Sequence, residues 1–547
     1  MHHCPKLQKI EKNIILTKKL LMKARLTLFL LFIFSIVNAQ FKTLAEGPVF
    51  EEPEDGIAKI LQMKNGNTLF LHITPKSTIN VQVYDATHKK KAEQSFQIST
   101  GKKKLSVKAA FEINKDMVLL VETIEDRTPL LYRLIINGIT GVLKNESQIA
   151  ELNRVSFGQG YSMAFGGVPP PDFYLRKDPD SDNYALVMLN SFESDRNKRI
   201  EVVYYGADNK EISRAFYSSP DEKYKYLLYL DMVVIGKERV AVLAYAYNTR
   251  SSGGKESALI LASLEAGSKS VTVNELPFSK DLIITDAITR YNPVTKNIIL
   301  LTAAKESKKS GNYSTYLAYI NPIDKDVEFS TTIFPTQAME KAIELFGKRN
   351  AGIGLPQNLY INIDGSFSVV YETIGTVVNR YSADTELGNI AVSKFDAKGK
   401  ETGSCLIPKS QYVFGAAISP FYLSEREGTA QVLSKGNQYK SFAYLDGADK
   451  SYILFNDVEE NTEKVKKGKI TTIRGVSDCD GFFYDISDND VLPERDFVFG
   501  KPASRKENNL ALFAISDYDK KNKIYVTLKL EKEGRDKGVK LVWLQPQ

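Results

Sequence analysis

Histidine, cysteine and tryptophan are nearly missing from this chain of 547 residues, which holds four His, three Cys and one Trp, Trp543. His2, His3 and Cys4 stand in the first four residues, which leaves His72, His88, Cys405 and Cys479 for the rest. A Ser-His-Asp or Cys-His arrangement would have to use one of those two histidines. His88 stands in the polar turn "DATHKKK" and reads as a solvated turn residue, and His72 ends a buried-type strand and reads as structural. A His-rich zinc site has too few ligands, so no metal and no cofactor is expected. Cys405 and Cys479 allow one disulfide in an oxidising compartment or two buried free thiols; their spacing does not decide between them.

Long apolar runs are also lacking, with one exception. Residues 26–37, "LTLFLLFIFSIV", are preceded by Lys23 and Arg25 and followed by Val37-Asn38-Ala39. A basic start, a short apolar centre and small residues before a cut make a secretory signal peptide. The run is shorter than the roughly 20 residues that span a bilayer. Residues 1–39 therefore read as leader, 22–39 as the signal proper with Met22 an alternative start to Met1, and 40–547 as the exported chain. No integral membrane segment is expected after cleavage, and no lipid anchor, because no Cys follows the site. The destination is the periplasm, the outer surface or the medium.

The excess of positive charge is confined to the leader. Seven basic residues against Glu11 give residues 1–39 a net of +6 out of the chain's +7, so the rest is about +1. A near-neutral chain has no electrostatic case for binding nucleic acid.

What the chain does have is a repeat. "MVLLVETI" at 117–124 and "FSVVYETI" at 367–374 each close a hairpin of two extended runs. The pattern recurs in "IAKILQMKNGNTLFLHI", "FYLRKDPDSDNYALVMLNS", "LDMVVIGKERVAVLAYA", "AITRYNPVTKNIILLTA" and "SFAYLDGADKSYILFND", seven hairpins in all. Between them a second hairpin type recurs, with a polar turn ending in Lys, as in "IAVSKFDAKGKETGSCLI" and "ALFAISDYDKKNKIYVTL". Two hairpins per period make four antiparallel strands, and a unit of roughly 40–50 residues plus loops is a propeller blade. The second strands are nearly continuous apolar runs, as strands buried on both faces are. The expected fold is all-β, a single β-propeller of four-stranded antiparallel blades. About seven blades are expected (six to eight), with residues 466–530 closing the ring with the N-terminus or making an eighth. One short helix is expected near 336–346, with Thr336 as cap and Gly347 as stop; it reads as a lid packed on one face of the disc.

Aligning the hairpins puts His72, Glu122, Asn190, Tyr245, Ala303, Glu372 and Asn456 at one equivalent position. The polar members form a candidate ligand-binding ring at one level of the disc. Strand ends are often polar simply because they meet water, which is the plainer account. Paired carboxylates such as Glu122 and Glu372 could do acid–base work on a glycoside if they faced each other. "DPDSDN", Asp178 to Asn183, resembles the start of a calcium loop, but Leu186 and Leu189 stand where the ninth and twelfth ligands would be, so a hairpin turn explains it better. "FGQGYSMAFGGVPPPDFY", residues 157–174, lacks the strand-to-helix context of a phosphate loop. It reads as a long inter-blade connector or as a rigid mouth loop rimmed by Phe157, Tyr161 and Phe165.

"GNIAVSKFDAKGKETGSCLIPKSQ" (388–411) and "SYILFNDVEEN" (451–461) resemble a group of exported propeller-type proteins of Gram-negative bacteria with no assigned biochemical role. The resemblance covers about residues 355–461 and implies the fold and export, but no active site. The Gly-His…Trp-Asp pattern and the Ser-x-Asp-x-Gly-x-Thr-Trp box of other propellers are absent. The expected function is a non-catalytic binding scaffold for a partner protein or glycan, with a carbohydrate-active enzyme (glycoside hydrolase or lyase) as the alternative. No recognisable catalytic motif decides whether the chain is an enzyme.

Overall fold

Each second strand found as an apolar run is buried on both faces; Tyr184–Leu189, for example, has no exposed residue. The reason is a ring of eight four-stranded antiparallel sheets, seen in a computed structural model. It describes residues 41–546 apart from 100–103, 165–167, 219–222, 249–255, 308–312, 325, 379–382, 417, 419–427, 429, 435, 447–449, 489, 504–506 and 534–535. The leader and the tip of the 157–174 segment, including Phe165, lie outside the described residues.

The seven hairpins form the two inner strands of blades 1 to 7, from Asp55–Gln62 with Thr68–Ile73 in blade 1 to Ala443–Asp446 with Ser451–Asp457 in blade 7. The eighth blade joins the two ends of the chain. Ala511–Asp519, Ile524–Glu533 and Asp536–Gln545 supply three strands, and Lys42–Glu46 pairs antiparallel with the last as the outermost. "ALFAISDYDKKNKIYVTL" is thus an inner hairpin and not an outer one. Its Lys-ended polar turn is the same chemistry used in both hairpin types.

The buried apolar side chains separate into eight clusters, and each joins two adjacent blades. Blade 2 meets blade 3 through Leu120, Phe173 and Leu186, and blade 3 meets blade 4 through Val187, Val202 and Val242. Eight seams for eight blades is a closed ring, because an open stack would have seven. The closing seam sets Ala58, Ile60 and Phe70 of blade 1 against Leu512, Leu528 and Trp543 of blade 8.

Trp543 fixes that seam. It is fully buried, and its indole N–H donates to Thr68 Oγ1 at 3.0 Å. Its ring lies 5.3 Å from Tyr84 and is stacked at 4.8 Å on His88. His88 is therefore not a solvated turn residue. Its backbone is left-handed, at φ 63°, and its Nδ1 is sealed without a partner. Polar contacts continue the closure: the Gln62 amide donates to Asp517 Oδ2 at 2.6 Å, and its side chain donates to the Asp517 and Ile524 carbonyls.

The helix at Thr336–Phe346 is present and Gly347 ends it in the left-handed region, at φ 73°. Thr336 does not cap it; Pro335 precedes the helix and no side chain fills the role. The helix does not lie on the face of the disc. Its first turn is tied to the outer strand Glu401–Ile407 of blade 6, where Ala338 N donates to Ser404 Oγ and Ser404 N donates to Gln337 Oε1. Two more short helices are present, Phe157–Ala164 and Asn461–Lys466. No described helix is long and apolar enough to cross a membrane.

Replacing Trp543 with Ala should cost about 3–5 kcal/mol, as for other buried aromatics, and chemical unfolding measures it. A cost under about 1 kcal/mol would mean that the seam does not hold the ring. Burial lowers the His88 pKa, partly offset by Asp85. The neutral ring is thus favoured in the fold. Its contribution is complete above the unfolded value of about 6.5 and is lost as pH falls through the folded one. The melting temperature should fall more between pH 7 and pH 5 in the parent than in His88→Asn, a residue that tolerates the left-handed backbone. An equal or smaller fall in the parent would contradict this.

Candidate functional site

The two faces of the ring are unlike. On one, the first strand of each blade turns into the second through a short turn, as does the third into the fourth in blades 1 to 6, whereas blade 7 uses residues 486–494 there. The other face carries the connections 152–171, 334–354, 408–442, 458–479 and 498–510. The described helices Phe157–Ala164 and Asn461–Lys466 belong to these, while Thr336–Phe346 turns back against the outer strand of blade 6. The second strands end on this face, so the aligned polar positions do share one side of the disc. Blade 2 pairs Glu122 with Ser106 at the start of its inner strand, blade 6 pairs Glu372 with Leu355, and blade 4 pairs Tyr245 with Leu228.

His72, Glu122, Tyr245, Glu372 and Asn456 are each engaged locally, and the aligned side chains do not converge. His72 Nε2 lies 2.9 Å from the Asp55 carbonyl. Glu122 binds Lys108 at 2.8 Å, and Lys108 also binds Asp172 of blade 3. The Tyr245 hydroxyl donates to the Leu282 carbonyl at 2.9 Å. The backbone N–H of Asn190 donates to the Arg199 carbonyl at 2.7 Å, and its side-chain Oδ1 is sealed without a partner. Ala303 is buried. Asn456 is fully buried and clamps blade 8, donating to the Ala511 carbonyl at 2.7 Å and accepting from the Ala511 amide at 3.1 Å. Blades 2 and 6 are diametrically opposite in a ring of eight, so Glu122 and Glu372 do not form a carboxylate pair.

Glu372 meets a partner that the repeat pattern does not reveal. Lys409 donates to its Oε1 at 2.5 Å, and both side chains are sealed from water. The ammonium also sits 5.8 and 5.9 Å from the rings of Phe442 and Phe455. Burial raises the Glu372 pKa and Lys409 opposes that. The pair anchors the 408–442 insertion. Gln411 Nε2 donates to the Asn456 carbonyl at 2.7 Å, and Lys440 Nζ to the Tyr412 and Arg474 carbonyls. Gln411–Val413 then pairs with the third strand of blade 6. Farther on, Gln431–Ser434 pairs with the inner strand of blade 1, and the Gly428 carbonyl accepts from Ala110 N of blade 2 at 2.6 Å. The insertion leaves the seam of blades 6 and 7 and occupies the inner wall of blades 1 and 2.

Inner strands are tied blade to blade by charge. Arg176 Nη2 lies 2.8 Å from Asp231 Oδ1, Arg290 Nη1 lies 3.3 Å from Asp231 Oδ2, and Thr289 N donates to that oxygen at 2.8 Å. One carboxylate thus joins blades 3, 4 and 5. Arg290 Nη2 continues to Asn358 Oδ1 of blade 6 at 3.0 Å.

The "DPDSDN" segment is the inner hairpin turn of blade 3. Lys177 Nζ donates into it, to the Asp178 and Ser181 carbonyls, so an ammonium stands among its oxygens. Among the described residues no group of three or more His, Cys, Asp or Glu could hold a metal ion. Cys405 and Cys479 are free and buried. In the 157–174 segment, Phe157–Ala164 is helical. Ser156 N donates to Gln159 Oε1 at 2.8 Å and Gln159 N to Ser156 Oγ at 3.3 Å, a reciprocal capping box legible as Ser-x-x-Gln. Phe157 and Tyr161, four residues apart, are 86% and 69% exposed on the long-loop side, and Arg127 stands 4.5 Å above the Phe157 ring.

No family model matches the chain, and no curated protein matches it. Solved structures that it resembles include polysaccharide lyase Uly1, with 9% identity over 80% of this chain and 90% of that one and a TM-score of 0.37. Dihydro-heme d1 dehydrogenase NirN in complex with DHE gives 9% identity, 93% and 77% coverage and a TM-score of 0.37. The α-L-arabinofuranosidase arb93a from Fusarium graminearum gives 9%, 69% and 96%, and 0.32. Likenesses this distant assign no chemistry to the chain.

Breaking the Glu372–Lys409 pair strands a buried charge. Glu372→Leu and Lys409→Met should each cost about 3–5 kcal/mol, and the double variant far less than their sum. Additive costs in a denaturation cycle would show that the two side chains do not act as a pair.

Proposed function

We propose that this chain is an exported β-propeller that binds a partner protein or a glycan through its long-loop face, and that it does so without chemistry of its own. The asymmetry of the faces supports the reading. Eight blades would close with short connections on both sides, yet the 152–171, 408–442 and 458–479 connections, with the Phe157–Ala164 and Asn461–Lys466 helices, all start and end on one side. Function gathers on loops held by a rigid scaffold. The exposed rings of Phe157 and Tyr161 offer the apolar contact area that stacks on protein or sugar surfaces. The alternative, a carbohydrate-active enzyme, would need carboxylates other than the Glu122 and Glu372 pair.

The test screens the mature chain against a glycan array and against envelope extract. The retained ligand is then measured with Phe157→Ser/Tyr161→Ser and, as the opposite-face control, with Ile363→Ser, whose side chain is 73% exposed on the short-turn side. Affinity should fall at least about tenfold in the first variant and hold in the second. The reverse pattern would place binding on the other face, and turnover of a glycan by the parent would favour the enzyme.

A further inference from the structure

The seam between blades 5 and 6 opens into a cleft of about 580 Å³. Its wall is aromatic and hydroxylated: Tyr313, Phe329, Phe334 and Phe395 with Tyr371 and Glu401. Phe329 and Phe334, at 42% and 49% exposure, stand at its open side. Tyr371 is 1% exposed. Its hydroxyl and Glu401 Oε1 are sealed from water and have no hydrogen-bond partner. The Ser393 hydroxyl lies close to both and meets hydrogen-bond geometry with neither.

Glu401 is the anomaly. Other buried carboxylates at the blade seams have partners: Glu122, Asp231, Glu372 and Asp457 each meet a Lys or Arg, and Asp517 accepts from the Gln62 and Tyr518 amides. Among the described residues Glu401 makes no ion pair, and burial raises its pKa with no cation to oppose it. An uncompensated carboxylate inside a cleft is costly. The faces of surrounding aromatic rings carry negative potential, which repels an anion and attracts a cation. Lys305 shows the mouth accepting one: its ammonium rests 4.2 Å from the centroid of the Tyr313 ring. The volume is in the range of small-molecule sites.

We propose that the cleft between blades 5 and 6 binds a small organic cation, a primary or quaternary amine, whose charge pairs with Glu401 while its body lies against the aromatic wall. The Tyr371 hydroxyl supplies a hydrogen bond at the base. This site lies between blades 5 and 6 and does not include Phe157 or Tyr161, which follow blade 2, so it stands or falls independently of the function proposed above.

Titration calorimetry and thermal shift on the mature chain test it with two matched pairs: choline against 3,3-dimethyl-1-butanol, and tyramine against 4-ethylphenol. At least one amine should bind and raise the melting temperature while its neutral counterpart does not. Glu401→Gln should weaken that amine by about tenfold or more. Glu401→Gln should also leave the free protein as stable as the parent or more stable, because it removes an unpaired charge; Tyr371→Phe, a second folded variant, should weaken binding less. Equal binding of an amine and its neutral isostere would overturn the proposal, as would no binding of either amine. So would a marked loss of stability in Glu401→Gln, which would make Glu401 a structural residue.

Discussion

The rest of the structure depends on the apolar seam between neighbouring sheets. A single four-stranded blade has two apolar faces and no way to bury both. Leu186 and Val187 of one strand show this directly, since the first packs on blade 2 and the second on blade 4. Every blade therefore needs a neighbour on each side, and only a closed ring supplies one to all eight. The closing seam is the one place where the chain cannot rely on sequence proximity. It is made from opposite ends of the chain, Ala58, Ile60 and Phe70 against Leu512, Leu528 and Trp543, and it carries the single tryptophan with a hydrogen bond to Thr68.

Charge follows the same geometry. Inner strands crowd round the axis, and their polar side chains serve as clasps between blades: Asp231 for blades 3 to 5, Asp517 for blades 8 and 1, Lys108 for blades 2 and 3. Glu372 and Asn456 hold the root of the 408–442 insertion and the neighbouring blade. Most seam carboxylates are thus committed to structure. That makes the unpaired Glu401 stand out, and it moves the search for function to the elaborated face and the blade 5–6 cleft.

The sequence disclosed what local pattern governs. Apolar second strands such as "VLLV" and "SVVY", with their tight polar turns, located seven inner hairpins because burial on both faces leaves no polar alternation. The alignment of His72, Glu122, Tyr245 and Glu372 also gave the correct edge of the disc. What escaped is what long-range contact governs. Blade 8 was legible only as residues 466–530 closing the ring with the N-terminus or making an eighth, because its outer strand comes from residues 42–46 and its other three from 511–545. Blade 7 was obscured because residues 458–479 interrupt it and its fourth strand, Arg495–Phe497, is short. Nothing near Glu372 in sequence announces Lys409, and nothing near Tyr371 announces Phe329 across the seam. The helix at 157–164 was legible in its Ser-x-x-Gln box but masked by Gly158 and Gly160, which argue against helix.

Hydrogen exchange of the Lys42–Glu46 amides tests the closed ring most directly. If this strand completes blade 8 and closing the ring sustains every seam, its hydrogen-bonded amides should exchange at the slow rate of the inner strands and rise with them under mild denaturant. Fast exchange of Lys42–Glu46 while Tyr525–Leu530 and Leu69–Leu71 stay protected would show a ring that holds without its outer clasp, and would contradict the account.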